Sequence, residues 1–166
     1  MPRATFFLYR ARMALGELTP HNVKQLALIC NSIFPVSYSD KFFKTAVAAG
    51  ELSKIIYCDD ILVGGVCCRL DKIPDSKNNK LYIMILGVLA PYRRMGLGKL
   101  MVEHVLKLAE DDKTVTAISL HVQTNNEDAV AFYKNFGFEI VETVQGYYKK
   151  PTPMDAYVLE KKVREA

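Results

Sequence analysis

No stretch of these 166 residues approaches the roughly 20 consecutive apolar residues that cross a bilayer, and the longest apolar runs, such as Ile61 to Cys68, are much shorter. A membrane-spanning helix is therefore not expected, nor is a membrane partner. Phe6, Phe7 and Leu8 begin like the apolar part of a leader, but Arg10 and Arg12 follow where a cleavage site needs small residues, so no secretory signal is read. Blocks of five like charges are absent too. With 22 Lys plus Arg against 18 Asp plus Glu, the formal charge is only +4, which is too thin for the basic stripe of a nucleic-acid binder and suits local anion contacts instead. Cysteine is scarce and unpatterned: Cys30, Cys58, Cys67 and Cys68 form no CxxC pair, and adjacent strand residues point to opposite faces. Buried free thiols in a reducing compartment are expected, with no metal site and no disulfide, which places the chain in the cytoplasm, with the nucleus as a further location.

Half the residues are hydrophobic and 24% are charged, a balance that excludes a disordered or fibrous chain. At about 150 residues per domain, the length predicts one domain. Residues 1–15 lack clear periodicity and read as an N-terminal arm; residues 16–161 read as the domain and residues 162–166 as a tail. Leu18-Thr19-Pro20 opens a helix whose apolar stripe is Val23, Leu26, Ala27, Cys30 and Ile33, and which stops near Phe34 because Pro35 disfavours helical geometry before it. Ser39 caps a second helix that Gly50 ends. The period then changes to that of strands. Leu52 to Cys58 and Ile61 to Leu70, joined by Asp59-Asp60, predict an antiparallel hairpin, and a loop from Asp71 to Asn79 leads to a strand from Leu81 to Leu89. That strand is apolar on both faces and belongs in the middle of a sheet. A helix over Leu97 to Asp111, a strand over Ile118 to Val122, a helix over Glu127 to Asn135 capped by Asn125 or Asn126, and two strands, Phe138 to Val144 and Tyr157 to Leu159, flanking a Tyr-rich loop complete a mixed α/β pattern.

Chemistry concentrates at Arg93-Arg94-Met95-Gly96-Leu97-Gly98, between a buried strand and an amphipathic helix. The first turn of a helix has amide groups without internal partners, and its dipole favours negative charge, so glycines there let a phosphate approach the backbone. Arg93 and Arg94 supply charge-assisted bonds, or one of them faces solvent. Lys99 is followed by Leu100 rather than Ser or Thr, so a magnesium-binding nucleotide loop is excluded. Met101 stands where a dinucleotide fold needs its third glycine, and the turn comes too late in the chain for that fold.

The run Val88 to Gly98 (VLAPYRRMGLG), with NEDAVAFY at Asn126 to Tyr133 and Phe136-Gly137-Phe138 downstream, resembles the acetyl-CoA-binding core of the GNAT acyltransferases. Within them, Phe34 to Tyr38 (FPVSY), Leu81-Tyr82-Ile83-Met84, Leu120-His121-Val122-Gln123 and Tyr147-Tyr148-Lys149 resemble the NatE-type protein N-terminal acetyltransferases, which act on Met-initiated chains. The likeness runs from about Gly16 to Lys161. It implies a GNAT fold, a central mixed sheet of about seven strands with about four helices. It also implies acetyl transfer from acetyl-CoA to a polypeptide α-amino group, without a covalent acyl-enzyme. The diphosphate would sit on the amides of Arg93, Arg94, Met95, Gly96, Leu97 and Gly98, and the thioester along Leu86, Gly87 and Val88. Asn126 and Tyr133 would lie near the pantetheine or thiol, Tyr82 and His121 would together take the amine proton through an ordered water, and Phe34, Pro35, Val36, Tyr38, Met84, Tyr147 and Tyr148 would wall the slot for the first peptide residues. Subunits of the NatA acetyltransferase at the ribosome are the implied partners.

Reference pKa values fit this chemistry. An α-amino group near 7.7–8.0 is partly neutral at pH 7, so a weak base such as His121, near 6.5, suffices, while a lysine amine near 10.4 stays charged. Tyr82 either orients the water or protonates the leaving thiolate; Tyr133 is the rival for the second task and is preferred for it on the resemblance. The chain departs from the pattern in its N-terminal arm, its longer loop at Asp71 to Asn79, Ile85 in place of Thr, and Pro151 where an apolar Ile tends to line the slot. Two other functions remain open: a weakly active cofactor-binding subunit that scaffolds a complex, and a GNAT enzyme for lysines or small amines.

Overall fold

Asp59 and Asp60 both adopt left-handed backbone angles (φ 48° and 68°) and reverse the chain between two apolar strands, as the sequence predicts. The computed structural model in which this is seen describes residues 10–150 and 152–166. In chain order the elements are β1 (Met13–Glu17), α1 (Val23–Ile33), α2 (Asp40–Ala48), β2 (Ser53–Cys58), β3 (Ile61–Lys72), β4 (Asn79–Val88), α3 (Leu97–Asp111), β5 (Val115–Gln123), α4 (Glu127–Lys134), β6 (Glu139–Tyr148) and β7 (Met154–Lys162). Ser39 caps α2 by accepting from the Phe42 amide at 3.1 Å, and α1 ends at Phe34, whose extended ψ of 146° is the conformation Pro35 demands. The helix expected to open at Leu18-Thr19-Pro20, with Thr19 as its cap, starts later: Asn22 is the N-cap of α1, and Thr19 closes the turn before it, its carbonyl oxygen accepting from Val23 N at 3.0 Å.

The strands form one sheet in the order β1-β2-β3-β4-β5-β7-β6, with β4 at its centre and β4–β5 as its parallel pair. Among the described residues this is the expected mixed sheet of seven strands with four α-helices. One face is covered by α1 and α2, where Leu26, Cys30, Phe43 and Ala46 pack on Ile55, Cys67 and Ile85. On the other face Leu97, Met101, Val102 and Val105 of α3 pack on Ile56, Cys68, Ile83 and Ile118. Each Val, Leu, Ile, Phe or Met side chain among these contributes about 1.5–3 kcal/mol by leaving water. Neighbouring Cys67 and Cys68 thus enter opposite layers, and all four cysteines are buried.

Three further boundaries differ from the sequence expectation. The stretch read as an arm, residues 1–15, already contains the start of β1: Met13, Ala14 and Leu15 pair with Cys58, Tyr57 and Ile56. Residues 1–9 lie outside the described residues. The tail expected from residue 162 starts later, since β7 continues through Lys162 and the Arg164 guanidinium donates to the carbonyl oxygens of Ala109, Glu110 and Asp112. A cation there meets the last carbonyls and the negative dipole end of α3. Tyr147 and Tyr148 lie at the end of β6 rather than in a loop.

Gly64 of β3 faces β4 so closely that an added Cβ would fall on the Gly87 carbonyl oxygen. Backbone cannot yield as a side chain can. Gly64→Ala is expected to destabilise the fold by about 1–3 kcal/mol, read as a lower denaturant midpoint at unchanged slope.

Candidate active site

A β-bulge at Met84 shapes the centre of the molecule. Cys67 pairs with Ile85 and Cys68 with Ile83, so β4 carries one residue more than β3 at this point. The extra residue reverses the alternation: Ile83 packs toward α3, whereas Met84 and Ile85 both pack toward α1 and α2. On its other side β4 pairs with β5 only as far as Tyr82 opposite Ser119, after which the two strands part. Between them opens a cleft of about 750 Å³, lined by Ile83 to Val88 on one wall and Leu120 to Gln123 on the other. That volume suits a ligand of cofactor size.

The floor of the cleft at the C-terminal end of β4 is the expected anion turn. Arg94 (φ 62°) and Gly96 (φ 89°) take left-handed angles, and Gly96 stands at the N-cap of α3 with no side chain accepting from the first-turn amides. Those donors therefore remain available to an anion, with the helix dipole behind them. Both arginines are exposed, but the Nε of Arg93 donates to the Val88 carbonyl oxygen at 2.9 Å and ties the turn to β4. Gly98 gives close access from α4, since an added Cβ would meet the Phe132 ring at 3.1 Å. Asn126 borders the cleft and caps α4, its Oδ1 accepting from Ala129 N at 3.2 Å.

Where β4 and β5 part, the Tyr82 hydroxyl and His121 Nδ1 lie 2.6 Å apart. Burial pushes the His121 imidazole below its ordinary value; the Glu142 carboxylate opposes this and the Arg69 guanidinium adds to it. At pH 7 the ring is neutral and can accept a proton. Tyr82 is held protonated, its phenol pushed up by burial and then by its hydrogen bond with Tyr147. Arg69, opposite Tyr82 in the β3–β4 register, lays its guanidinium 4.5 Å from the Tyr82 ring centroid and is tied to Asp71 at 2.8 Å. Nothing in the sequence pattern singled out Arg69, because its place opposite Tyr82 depends on the bulge.

Tyr133, on α4, is buried in the wall of the cleft, and burial, with the nearby Cys68 thiol adding, pushes its phenol upward so that it keeps its proton. At the α1–α2 end, Phe34, Pro35, Val36, Tyr38, Met84 and Tyr148 line the cleft. Tyr38 anchors an aromatic cluster, 4.7 Å from Phe42 and 6.0 Å from Phe34 between ring centroids. Gly87 admits Phe34 against β4, since a Cβ would sit 2.8 Å from its ring. The Ile85 side chain is buried in the α1/α2 layer, which leaves its backbone to the cleft. Leu86, Val88, Leu97 and His121 also lie in the lining, whereas Met95, Tyr82 and Tyr147 do not: Met95 faces outward, and Tyr82 and Tyr147 touch His121 from behind. Pro151 lies outside the described residues.

Residues 21–138 match the model of the acetyltransferase (GNAT) family. N-alpha-acetyltransferase 50 of Danio rerio is 54% identical over 155 residues, covering 93% of this chain and 91% of that protein. Probable N-acetyltransferase san of Drosophila melanogaster is 52% identical over 155 residues, covering 93% and 83%. Among solved structures, Arabidopsis thaliana Naa50 in complex with the bisubstrate analogue CoA-Ac-MVNAL superposes with a TM-score of 0.83 at 47% identity, covering 90% of this chain and 97% of that one.

Proposed function

Because the chain belongs to the acetyltransferase (GNAT) family, we infer that its cleft brings acetyl-CoA to the α-amino group of a polypeptide and that Tyr82 with His121 takes up the proton released. The chain is an acetyl-CoA-dependent N-α-acetyltransferase. Its residues fit the cosubstrate on their own terms: uncapped amides at the start of α3 suit a diphosphate, and the open backbone edge of Ile83–Val88 suits a chain of amides. Acetyl-CoA supplies an activated acyl thioester. The amides of the Arg93 to Gly98 turn hold the phosphates, Leu86 to Val88 align the acyl end by backbone hydrogen bonds, and Asn126 steadies the pantetheine.

The observation that carries the chemistry is the 2.6 Å contact between Tyr82 and His121, which makes the two a coupled proton acceptor reached through water. Tyr133 keeps its proton and presents it to the departing sulfur. Phe34, Pro35, Val36, Tyr38, Met84 and Tyr148 form an apolar slot that receives the first side chain of the peptide, and a methionine fits such a slot. The analogue held by the Arabidopsis relative begins with Met, which supports that reading. The family resemblance further supports work in the cytoplasm beside NatA-type subunits at the ribosome.

Mass spectrometry with acetyl-CoA and three peptides tests the function: one beginning Met-Leu, its N-blocked form, and an N-blocked peptide with an internal lysine. Acetylation of the first alone is expected. Modification that survives the N-terminal block would overturn the assignment to α-amines.

A further inference from the structure

The ring of Tyr147 lies flat on the imidazole of His121, 4.1 Å between centroids and 3° between planes. It also helps hold the proton on the Tyr82 phenol. Tyr147 therefore bears on both members of the proton-accepting pair, although its strand is not next to either of theirs: β7 runs between β5 and β6, with Val158 opposite His121. A local irregularity makes this reach possible. The β6–β7 ladder shifts register once between Ile140 and Glu142, runs on to Val144 opposite Ala156, breaks again, and resumes at Tyr148 opposite Met154. Within the break Gly146 takes a left-handed φ of 58° and its amide donates to the Asp155 carboxylate at 2.8 Å. The chain bulges out of the sheet, and Tyr147 crosses over β7 onto His121. Tyr148, at right angles to Tyr147 with centroids 5.0 Å apart, remains in the cleft wall.

We propose that Tyr147 is a positioning residue for catalysis: the β6–β7 bulge clamps its ring on His121 and so fixes the imidazole in hydrogen-bonding register with Tyr82. This deepens the reading that His121 and Tyr82 take the amine proton, and it rests on that reading. A lone imidazole on a strand has two χ angles to rotate about, and misplacement of an acceptor by about 1 Å costs up to about 10²-fold in rate. Flat stacking leaves the ring free to slide but not to tilt. Tyr82 on β4, Arg69 on β3 and Glu142 on β6 are the charged and titratable groups that bear on His121, and the Tyr147 ring covers one face of the imidazole.

The test is steady-state kinetics of Tyr147→Ala and Tyr147→Phe beside His121→Ala, with NMR titration of the His121 imidazole in the full chain. Tyr147→Ala is expected to lower kcat about 10- to 100-fold with the peptide KM little changed. The imidazole should then titrate closer to the ordinary histidine value, because water reaches the uncovered face. Tyr147→Phe, which keeps the ring, should recover most of kcat. A Tyr147→Ala variant that raises KM at unchanged kcat, with the imidazole titration unmoved, would show a peptide wall only and overturn the proposal. Full activity in His121→Ala would instead remove the underlying reading. Unaltered titration of groups remote from the site verifies that the alanine variant is folded.

Discussion

Replacing His121 with alanine lowers kcat/KM for a Met-initiated peptide about 10²- to 10⁴-fold, while CoA still binds, because the turn proposed to hold its diphosphate is built from the residues between β4 and α3 and not from this ring. The wild-type pH profile follows from the same residue. Burial holds the imidazole below the ordinary value of about 6.5, so the ring is neutral at pH 7 and becomes charged only as the pH falls through that lowered value. The peptide amine, near 7.7–8.0, gains its neutral form over a higher range. Thus kcat/KM should rise from pH 6 to 8 along the amine's titration, with the histidine limb displaced to more acid pH. Equal loss of turnover and CoA affinity in His121→Ala would give the ring a structural role.

Replacing Gly96 with valine should raise the CoA dissociation constant about 10- to 100-fold, the effect of roughly 1.4–2.8 kcal/mol. The space beside Gly96 is open, with the Met13 methyl 3.9 Å from where a Cβ would lie, so the cost comes from the backbone. A β-branched residue at φ 89° is strained by about 1–3 kcal/mol, and the turn relieves this by leaving the left-handed region. The amides of Leu97 and Gly98 then no longer converge on one anion. Calorimetry measures the affinity and a thermal melt measures the fold. A lower Tm with unchanged CoA affinity would show that the phosphates are seated elsewhere.

The features that were legible in the sequence are those set by neighbours along the chain. Ser39 as a cap, the Asp59-Asp60 reversal, and the Gly96 turn before α3 each depend on a few consecutive residues whose backbone preferences are strong. The place of β4 at the sheet centre was legible because apolar residues on both faces need cover on both. The strand β1 was not: five residues at a sheet edge, largely exposed, carry no alternation. Nor was the bulge at Met84, since the sequence from Leu81 to Leu89 is apolar in every phase and does not say where one residue is gained. The candidate site divides in the same way. The turn proposed for the phosphates is local, and the paired roles of Tyr82 and His121 came from the family resemblance. Arg69 over Tyr82 and Tyr147 over His121 arise from strand register and from a crossing over β7, which no short stretch of sequence encodes.

The parting of β4 from β5 creates an unusual kind of border. Sheets normally expose their unsatisfied strands at the rim, where a second molecule can add on and aggregation begins. Here the reactive backbone of Ile83 to Val88 lies in the interior, screened by β5 on one side and by helices above and below. An extended guest with amides of its own can complete the ladder like an inserted slat. On the proposed function, the adhesive quality of a β-edge is thereby offered to a cosubstrate inside the sheet rather than at its rim.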